Sequence, residues 1–331
     1  MNISELGEFE LIELLRKMVE DTVDNNSLAR PELILGIGDD AAAWKRDRSI
    51  QLATSDTLVQ GIHFNLDFTS WEDLGWKAMA VNLSDIAAMG GLPRYALVSL
   101  SLPGSTDIES VTDLYRGMIE LANKYDTIIV GGNISSASPI TINITVLGNT
   151  DKEKRILTRS GARIGDEIAV TGYLGASAGE LTILKENIIL DPESEKILKQ
   201  AFFRPNPRIN EGQILVEKGV RSTIDISDGL VADLSHICAA SNVGARIDTS
   251  LIPVHPEVMN NFGENALGLT LSGGEDYELL FTGPGDVINR VKDTALCQIT
   301  VIGEITGDKE LLVIDENGRS LSLESSGWKH F

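Results

Sequence analysis

Short runs rich in aliphatic and β-branched residues, bounded by glycine and polar turns, predict strands at 33–37, 50–55, 95–102, 127–130 and 140–147. Between them, apolar residues recur at helical spacing over 71–89 and 108–124. The stretch Asn149-Thr150-Asp151-Lys152-Glu153-Lys154 is polar and aperiodic, which predicts a domain boundary there. The second half then restarts. It predicts strands at 167–171, 223–226, 277–282, 299–304 and 311–314, and helices at 176–185, 193–203, 208–218, 230–240 and 287–295. The expectation is an α/β (α+β) chain of two domains, residues 1–149 and 150–331, with mixed sheets flanked by helices.

Length agrees, since 331 residues make two domains at about 100–200 residues each. Charge narrows the function. Asp and Glu number 49 against 28 Lys and Arg, a formal net charge of −21. Such a chain repels nucleic acid and anionic membrane unless it carries a basic patch, and the longest basic cluster, Lys152 to Arg155, contains Glu153. The two cysteines, Cys238 and Cys297, form no CxxC pair, so a reducing compartment is expected. The segment Met1–Glu10 has three acids and no basic residue, unlike a signal peptide, and no apolar run reaches about 18 residues. A cytoplasmic location is the expectation.

The acids are placed informatively. Asp39-Asp40, Asp56, Asp225, Asp228 and Glu275-Asp276 stand beside glycines or hydroxyl residues where strands end, and Asp85 lies inside an apolar helix. Asn82 and Asp85, three residues apart, share a helical face. Each acid alone has a bland reading: Asp228 as a helix cap, Asp39-Asp40 as a turn, Asp85 as a carboxylate bonded to a neighbouring loop. Together, with no Cys or His cluster beside them, they suit a hard cation such as Mg²⁺, which takes oxygen ligands and commonly shares them with phosphates. Thr54, Ser55 and Asn133 add neutral oxygens. Gly131-Gly132-Asn133 follows a predicted strand, and its glycines would let backbone amides approach a phosphate. Walker and protein-kinase signatures are absent.

Several segments, in order along the chain, carry a resemblance: Gly7-Glu-Phe9, Leu35-Gly-Ile-Gly-Asp-Asp-Ala41, Thr54-Ser-Asp-Thr-Leu-Val-Gln-Gly-Ile-His-Phe64, the stretch from Lys77 to Gly90, Thr158-Arg-Ser-Gly-Ala162, Asp225-Ile-Ser-Asp-Gly-Leu230 and Leu271-Ser-Gly-Gly-Glu-Asp-Tyr-Glu-Leu279. The chain resembles the thiamine-monophosphate kinases, within the aminoimidazole-ribonucleotide synthetase-like superfamily. The resemblance implies ATP-dependent phosphorylation of thiamine monophosphate, an ATP and metal site in the cleft between two α/β domains, and a homodimer joined through the N-terminal domains. It also implies that Asp40, Ser55, Asp56, Asp85, Asp225 and Asp228 ligate Mg²⁺ with help from Thr54. Of these, Asp56, Asp85 and Asp228 would serve the catalytic step. Gly132, Asn133, Arg159 and Ser227 would hold ATP, and His63, Glu275 and Trp328 would line the substrate pocket. The family commonly reads Gly-Gly-Asp-Thr where this chain reads Gly131-Gly132-Asn133-Ile134, so an uncharged amide stands at one metal position.

The implied chemistry suits these residues. A phosphate monoester, with a second pKa near ~6, is largely dianionic at neutral pH and needs no strong base to become a nucleophile. Repulsion between two anions is the obstacle, and positioning with electrostatic stabilisation overcomes it. His63, Glu275, Arg159 and Trp328 each have an ordinary alternative: a satisfied His, two surface ion pairs and an anchored tail. Rival functions are a selenophosphate synthetase, disfavoured because the first cysteine is Cys238, an aminoimidazole-ribonucleotide synthetase, a non-catalytic nucleotide-binding paralogue, and a metal-dependent phosphatase.

Overall fold

The apolar runs of the first half assemble into one four-stranded sheet. The computed structural model describes residues 14–15, 17–19, 21, 33–35, 43–44, 50–150, 156–321 and 327. By contacts, residues 1–86 with 92–153 form one unit, and 87–91 with 154–331 form another. In the first unit a short pair, β1 (Leu33–Leu35) and β2 (Ala43–Trp44), precedes β3 (Gln51–Val59), α1 (Trp71–Ala88), β4 (Leu92–Leu102), α2 (Ile108–Lys124), β5 (Ile128–Ser136) and β6 (Thr141–Asn149). The sheet order is β3-β6-β4-β5, with β4 and β5 parallel and the other neighbours antiparallel.

Period-two alternation divides this sheet into two faces. Ile142, Ile144, Val146, Ala96, Val98 and Leu100 are buried on one. The intervening residues, among them Asn143, Ser99 and Thr145, face the other and are less buried. The helices α1 and α2 touch backbone to backbone. A side chain at Gly75 would meet Leu114 O at 1.9 Å, and one at Gly117 would meet Glu72 O at 1.8 Å. Only glycine permits that approach.

The second unit contains β7 (Glu167–Thr171), α3 (Ala176–Glu186), α4 (Pro192–Phe203), α5 (Ile209–Lys218), β8 (Ser222–Asp225), α6 (Leu230–Ser241), β9 (Gly244–Asp248), α7 (Pro256–Phe262), α8 (Ala266–Ser272), β10 (Leu279–Gly283), α9 (Gly285–Lys292), β11 (Ile299–Thr306) and β12 (Leu311–Ile314). Its sheet order is β12-β9-β11-β7-β10-β8. The α6 residues Leu230, Leu234 and Ile237 share a core with Ile168, Ile224, Leu280 and Ile302 of the strands. Helix α4 starts as its sequence requires, with Pro192 in the first turn and Asp191 accepting from Glu193 N and Ser194 N, both at 3.1 Å.

Several elements were not expected, the two-residue β2 among them. β9 carries Gly244 and Arg246 and becomes a strand through pairing on both sides, with β11 and β12. The helices α7 and α8 are seven residues each, too short for a periodic signal. β5 also runs past its expected end and takes Gly131–Asn133 into the sheet. Among the described residues no helix is long and apolar enough to cross a membrane.

One buried group has a measurable consequence. Glu180 on α3 is 0% exposed, and neither carboxyl oxygen has a hydrogen-bond partner. Burial, only partly opposed by the charge of Lys199 and reinforced by Glu195, pushes it from 4.5 to about 7. The folded chain then keeps a proton that the unfolded chain has released. Stability therefore falls as pH rises from about 4.5 to about 7, by on the order of 3 kcal/mol. Glu180→Gln should flatten this slope and raise stability at pH 8 relative to wild type. Urea unfolding at pH 5 and pH 8 measures both, and equal slopes in the two proteins would refute the assignment.

Candidate active site

β3 presents its polar residues to alternate sides. Thr54 and Asp56 belong to the face covered by α1. Thr54 Oγ1 donates to Asp85 Oδ2 at 2.5 Å. The Asp56 amide donates to Asn82 Oδ1 at 3.0 Å, and Asn82, fully buried, anchors itself by donating from Nδ2 to Ala78 O at 3.1 Å. The shared helical face of Asn82 and Asp85 thus meets two successive inward positions of one strand. Asp56 is exposed and Asp85 half-buried, so both carboxylates can be reached from solvent.

Ser55 turns the other way. Its Oγ lies 3.0 Å from Thr145 Oγ1 and accepts from Asn143 Nδ2 at 3.2 Å, on the opposite face of the sheet. Its hydroxyl does not join Thr54, Asp56 and Asp85. Gly132 and Asn133 are also apart from that group. The register Asp56↔Ile144↔Val98↔Gly132 puts Gly132 in the Asp56 row but three inter-strand steps away, about 14 Å along a flat sheet. Asn133 falls in the next row, with Thr57, Asn143 and Ser99, and so on the other face. The glycine has a local cause. The β4–β5 pairing shifts register at Ala96/Leu97, and a side chain at Gly132 would meet Val98 O at 1.8 Å. Gly131-Gly132 therefore lies within a strand under a close backbone neighbour, not in the loop after it.

After β3 the chain turns tightly. His63 N donates to Val59 O at 2.9 Å, and the Val59 amide donates to His63 Nδ1 at 3.1 Å. The half-buried ring thus uses Nδ1 as an acceptor, which in the neutral tautomer places the ring proton on Nε2.

In the second unit Asp225 ends β8 and is 4% exposed. The chain beyond it is fixed from both sides. Ile226 N donates to Glu278 O at 2.8 Å, Tyr277 N to Ile226 O at 2.9 Å, and Glu275 N to Ser227 O at 2.8 Å. To follow this path Glu275 and Tyr277 adopt φ of 66° and 51°, strained for residues with side chains. Asp276 accepts from Gly175 N at 3.1 and 2.9 Å, and burial pushes its carboxyl up to about 8 against that donor. From α6, one oxygen of Asp233 accepts from Ser227 N, Asp228 N and Gly229 N, each at 3.1 Å. Burial, with the charge of Asp228 and against these donors, pushes Asp233 up to about 7. The alternative reading of Asp228 as a plain helix cap does not hold, because the cap position is Gly229 and no side chain there caps the helix.

Arg159 is exposed, in a segment tied to its surroundings by Thr223 N donating to Thr158 O at 3.0 Å and Ser241 Oγ donating to Arg159 O at 3.1 Å. Asp40 and Trp328 lie outside the described residues. Gly327 is described, and a side chain there would come within 2.6 Å of Asp228 O. The residue before Trp328 thus rests on the Asp228 loop.

Reading the sequence missed Asp233, whose signal was an acid in the first turn of an apolar helix, five residues after Asp228. Ligand atoms of Asp228, Asp233 and exposed His236 lie within 4.8 Å of one another. The groups at Thr54, Asp56 and Asp85 and at Asp225 and Asp228 offer oxygen alone, a donor set that fits Mg²⁺.

Comparison with known proteins places the chain among relatives along its whole length. Residues 38–150 match the family model for the N-terminal domain of AIR synthase related proteins, and residues 163–316 that for the C-terminal domain. The thiamine-monophosphate kinase of Escherichia coli K12 is 40% identical, with 98% of each chain covered. That of Aquifex aeolicus is 37% identical, with 100% of each covered. Among solved structures, the thiamine-monophosphate kinase of Stenotrophomonas maltophilia K279a superposes with a TM-score of 0.82 at 33% identity, covering 91% of this chain and 96% of that one. An AaThiL structure complexed with AMPPCP and TMP superposes at 0.77 and 36% identity, covering 100% and 99%. With both domains matched in order and relatives of this identity along its whole length, the chain belongs to the thiamine-monophosphate kinase family.

Proposed function

We propose that the chain transfers the γ-phosphoryl group of ATP to the phosphate of thiamine monophosphate, giving thiamine diphosphate, by direct in-line displacement. The observation that carries this reading is the pair of oxygen-donor groups, one within β3 against α1 and one where β8 ends, in a chain of this family. Thr54, Asp56 and Asp85 in one unit, with Asp40, and Asp225 and Asp228 in the other, hold Mg²⁺. When bound, Mg²⁺ neutralises phosphate charge and sets the donor and acceptor groups in line. Asp56, Asp85 and Asp228 are the acids whose placement the transfer depends on. Ser55 contributes through the backbone of β3, since its hydroxyl is engaged on the other face.

The remaining side chains bind and orient. Gly132, Asn133, Arg159 and Ser227 hold ATP, and Asn133, three strands from Asp56, serves a different ion from the one at Asp56 and Asp85. His63 directs its Nε2–H at the acceptor phosphate, a role for the neutral ring. Glu275 and Trp328 take the heterocycles, where an aromatic face suits a cationic thiazolium. No side chain has to remove a proton from the dianionic acceptor. The chain works as a cytoplasmic homodimer joined through its N-terminal sheet, whose edge strands are β3 and β5.

An ADP-release assay with Mg-ATP tests the function. Thiamine monophosphate should be phosphorylated and free thiamine left untouched, because nothing in the proposed set of residues activates an alcohol. Comparable turnover of thiamine would overturn the reading.

Asp56→Asn and Asp85→Asn should each lower turnover by at least about 100-fold while leaving the melting midpoint nearly unchanged. Near-wild-type rates at saturating Mg²⁺ in both would make these acids structural.

Asn133→Asp should lower the Mg²⁺ concentration for half-maximal rate by about 2- to 5-fold, since the bound phosphates already supply most of the ligand charge. An unchanged midpoint would remove position 133 from the metal. An inactive wild type beside an active Asn133→Asp variant would favour a nucleotide-binding protein without turnover.

A further inference from the structure

We propose that Asp233 is a positioning residue that sets the conformation of Ile226–Gly229 and, through it, where the carboxylates of Asp225 and Asp228 stand; the consequence for Mg²⁺ rests on the function proposed above. A helix N-terminus is ordinarily stabilised by a side chain at the cap, which accepts from amides inside the first turn. Here the order is reversed. Gly229 occupies the cap and offers no side chain, while Asp233, inside the helix, reaches back and accepts from Gly229 and from two amides that precede the helix. Two of its three bonds therefore hold the loop and not the helix, whose own first bond is Asp233 N to Gly229 O at 2.9 Å.

The other polar groups of the loop are accounted for separately. Ile226 N, Ile226 O and Ser227 O bond to the 275–278 segment. Gly229 has φ 129°, and a side chain there would meet Ser272 C and O at 3.0 Å. Gly327 and Gly274 press on Asp228 O and Ser227 O from outside, at 2.6 and 2.3 Å from where a side chain would begin. The loop is clamped at Ile226 and through its carbonyls by one segment, and through the amides of Ser227, Asp228 and Gly229 by a single oxygen. Asp233 is 2% exposed, so no water replaces that oxygen readily. Three N–H groups share that one oxygen, so removing the side chain deprives all three of their acceptor at once.

The test uses the full chain as wild type, Asp233→Asn and Asp233→Ala. Hydrogen exchange read by mass spectrometry, without nucleotide or metal, should show the amides of residues 227–229 exchanging about 10-fold faster or more in both variants. Amides of β8 and of the second half of α6 should keep their rates. In ADP-release assays the Mg²⁺ concentration for half-maximal rate should rise by about 10-fold in Asp233→Asn, with KM for thiamine monophosphate unchanged and most of kcat recovered at saturating Mg²⁺. Unaltered exchange at 227–229 in Asp233→Ala would overturn the proposal. So would acceleration spread through the whole unit, which would make Asp233 a core residue, or faster local exchange with an unmoved Mg²⁺ midpoint. A wild type that fails to phosphorylate thiamine monophosphate would sink the proposed function instead, and the exchange measurement would still decide whether Asp233 holds the loop.

Discussion

Carboxylates brought near one another repel, and a chain with a net charge of −21 gathers several of them, within β3 and the helix beside it and where β8 ends. Neutral donors hold some of these acids, and side-chain acceptors hold the peptide groups beside others. Thr54 donates to Asp85, Asn82 fixes the amide of Asp56, and Asp233 gathers the three amides around Asp228. These contacts differ in kind from an ion pair. A basic partner neutralises an acid and competes with a cation, whereas hydroxyls and amides orient a carboxylate and leave its charge in place. The second unit also contains the other kind of contact, Arg208 with Glu278 at 2.5 Å and Arg221 with Asp166 at 2.7 Å, where each acid is matched by a guanidinium.

This division of labour explains what could be read from the sequence and what could not. The face shared by Asn82 and Asp85 followed from helical periodicity, and its partner strand from the apolar run at 50–55. The side to which Ser55 points did not follow. One residue of register decides it, and register is set by pairing with β6, where Ser55 meets Thr145. Gly131-Gly132 misled for a related reason. A glycine pair reads as a loop unless a neighbouring backbone is known to press on it, and Val98 O does so. The Asp225–Asp228 turn was legible because strand, Ser-Asp-Gly and apolar helix follow in order. Asp233 was not, because its role depends on reaching backwards out of its own helix.

The same limits applied to the fold. Elements with a long periodic signal, such as α1 and α2, were located to within a residue or two. β9, α7 and α8 owe their existence to tertiary context. β9 has pairing partners on both edges, and α7 begins where His255 Nδ1 accepts from Glu257 N at 3.2 Å ahead of Pro256. A histidine as cap lies outside the usual Ser, Thr, Asp and Asn preference, so local sequence gave no warning.

Rigidity is distributed accordingly. The loop that carries Asp228 is held through carbonyls by residues in strained conformations and through amides by one buried acid, so its peptide groups have little freedom left. Strain at Glu275 and Tyr277 persists because their N–H groups complete the ladder that β8 and β10 begin. On β3, by contrast, Asp56 is exposed, and the bond from Asn82 fixes its peptide group rather than its carboxylate. A transfer between two anions benefits from both arrangements. Acids on a clamped loop define where charge is neutralised without reorganisation, and acids at a solvent-facing strand position can adjust to phosphates whose positions change as the bond passes from donor to acceptor.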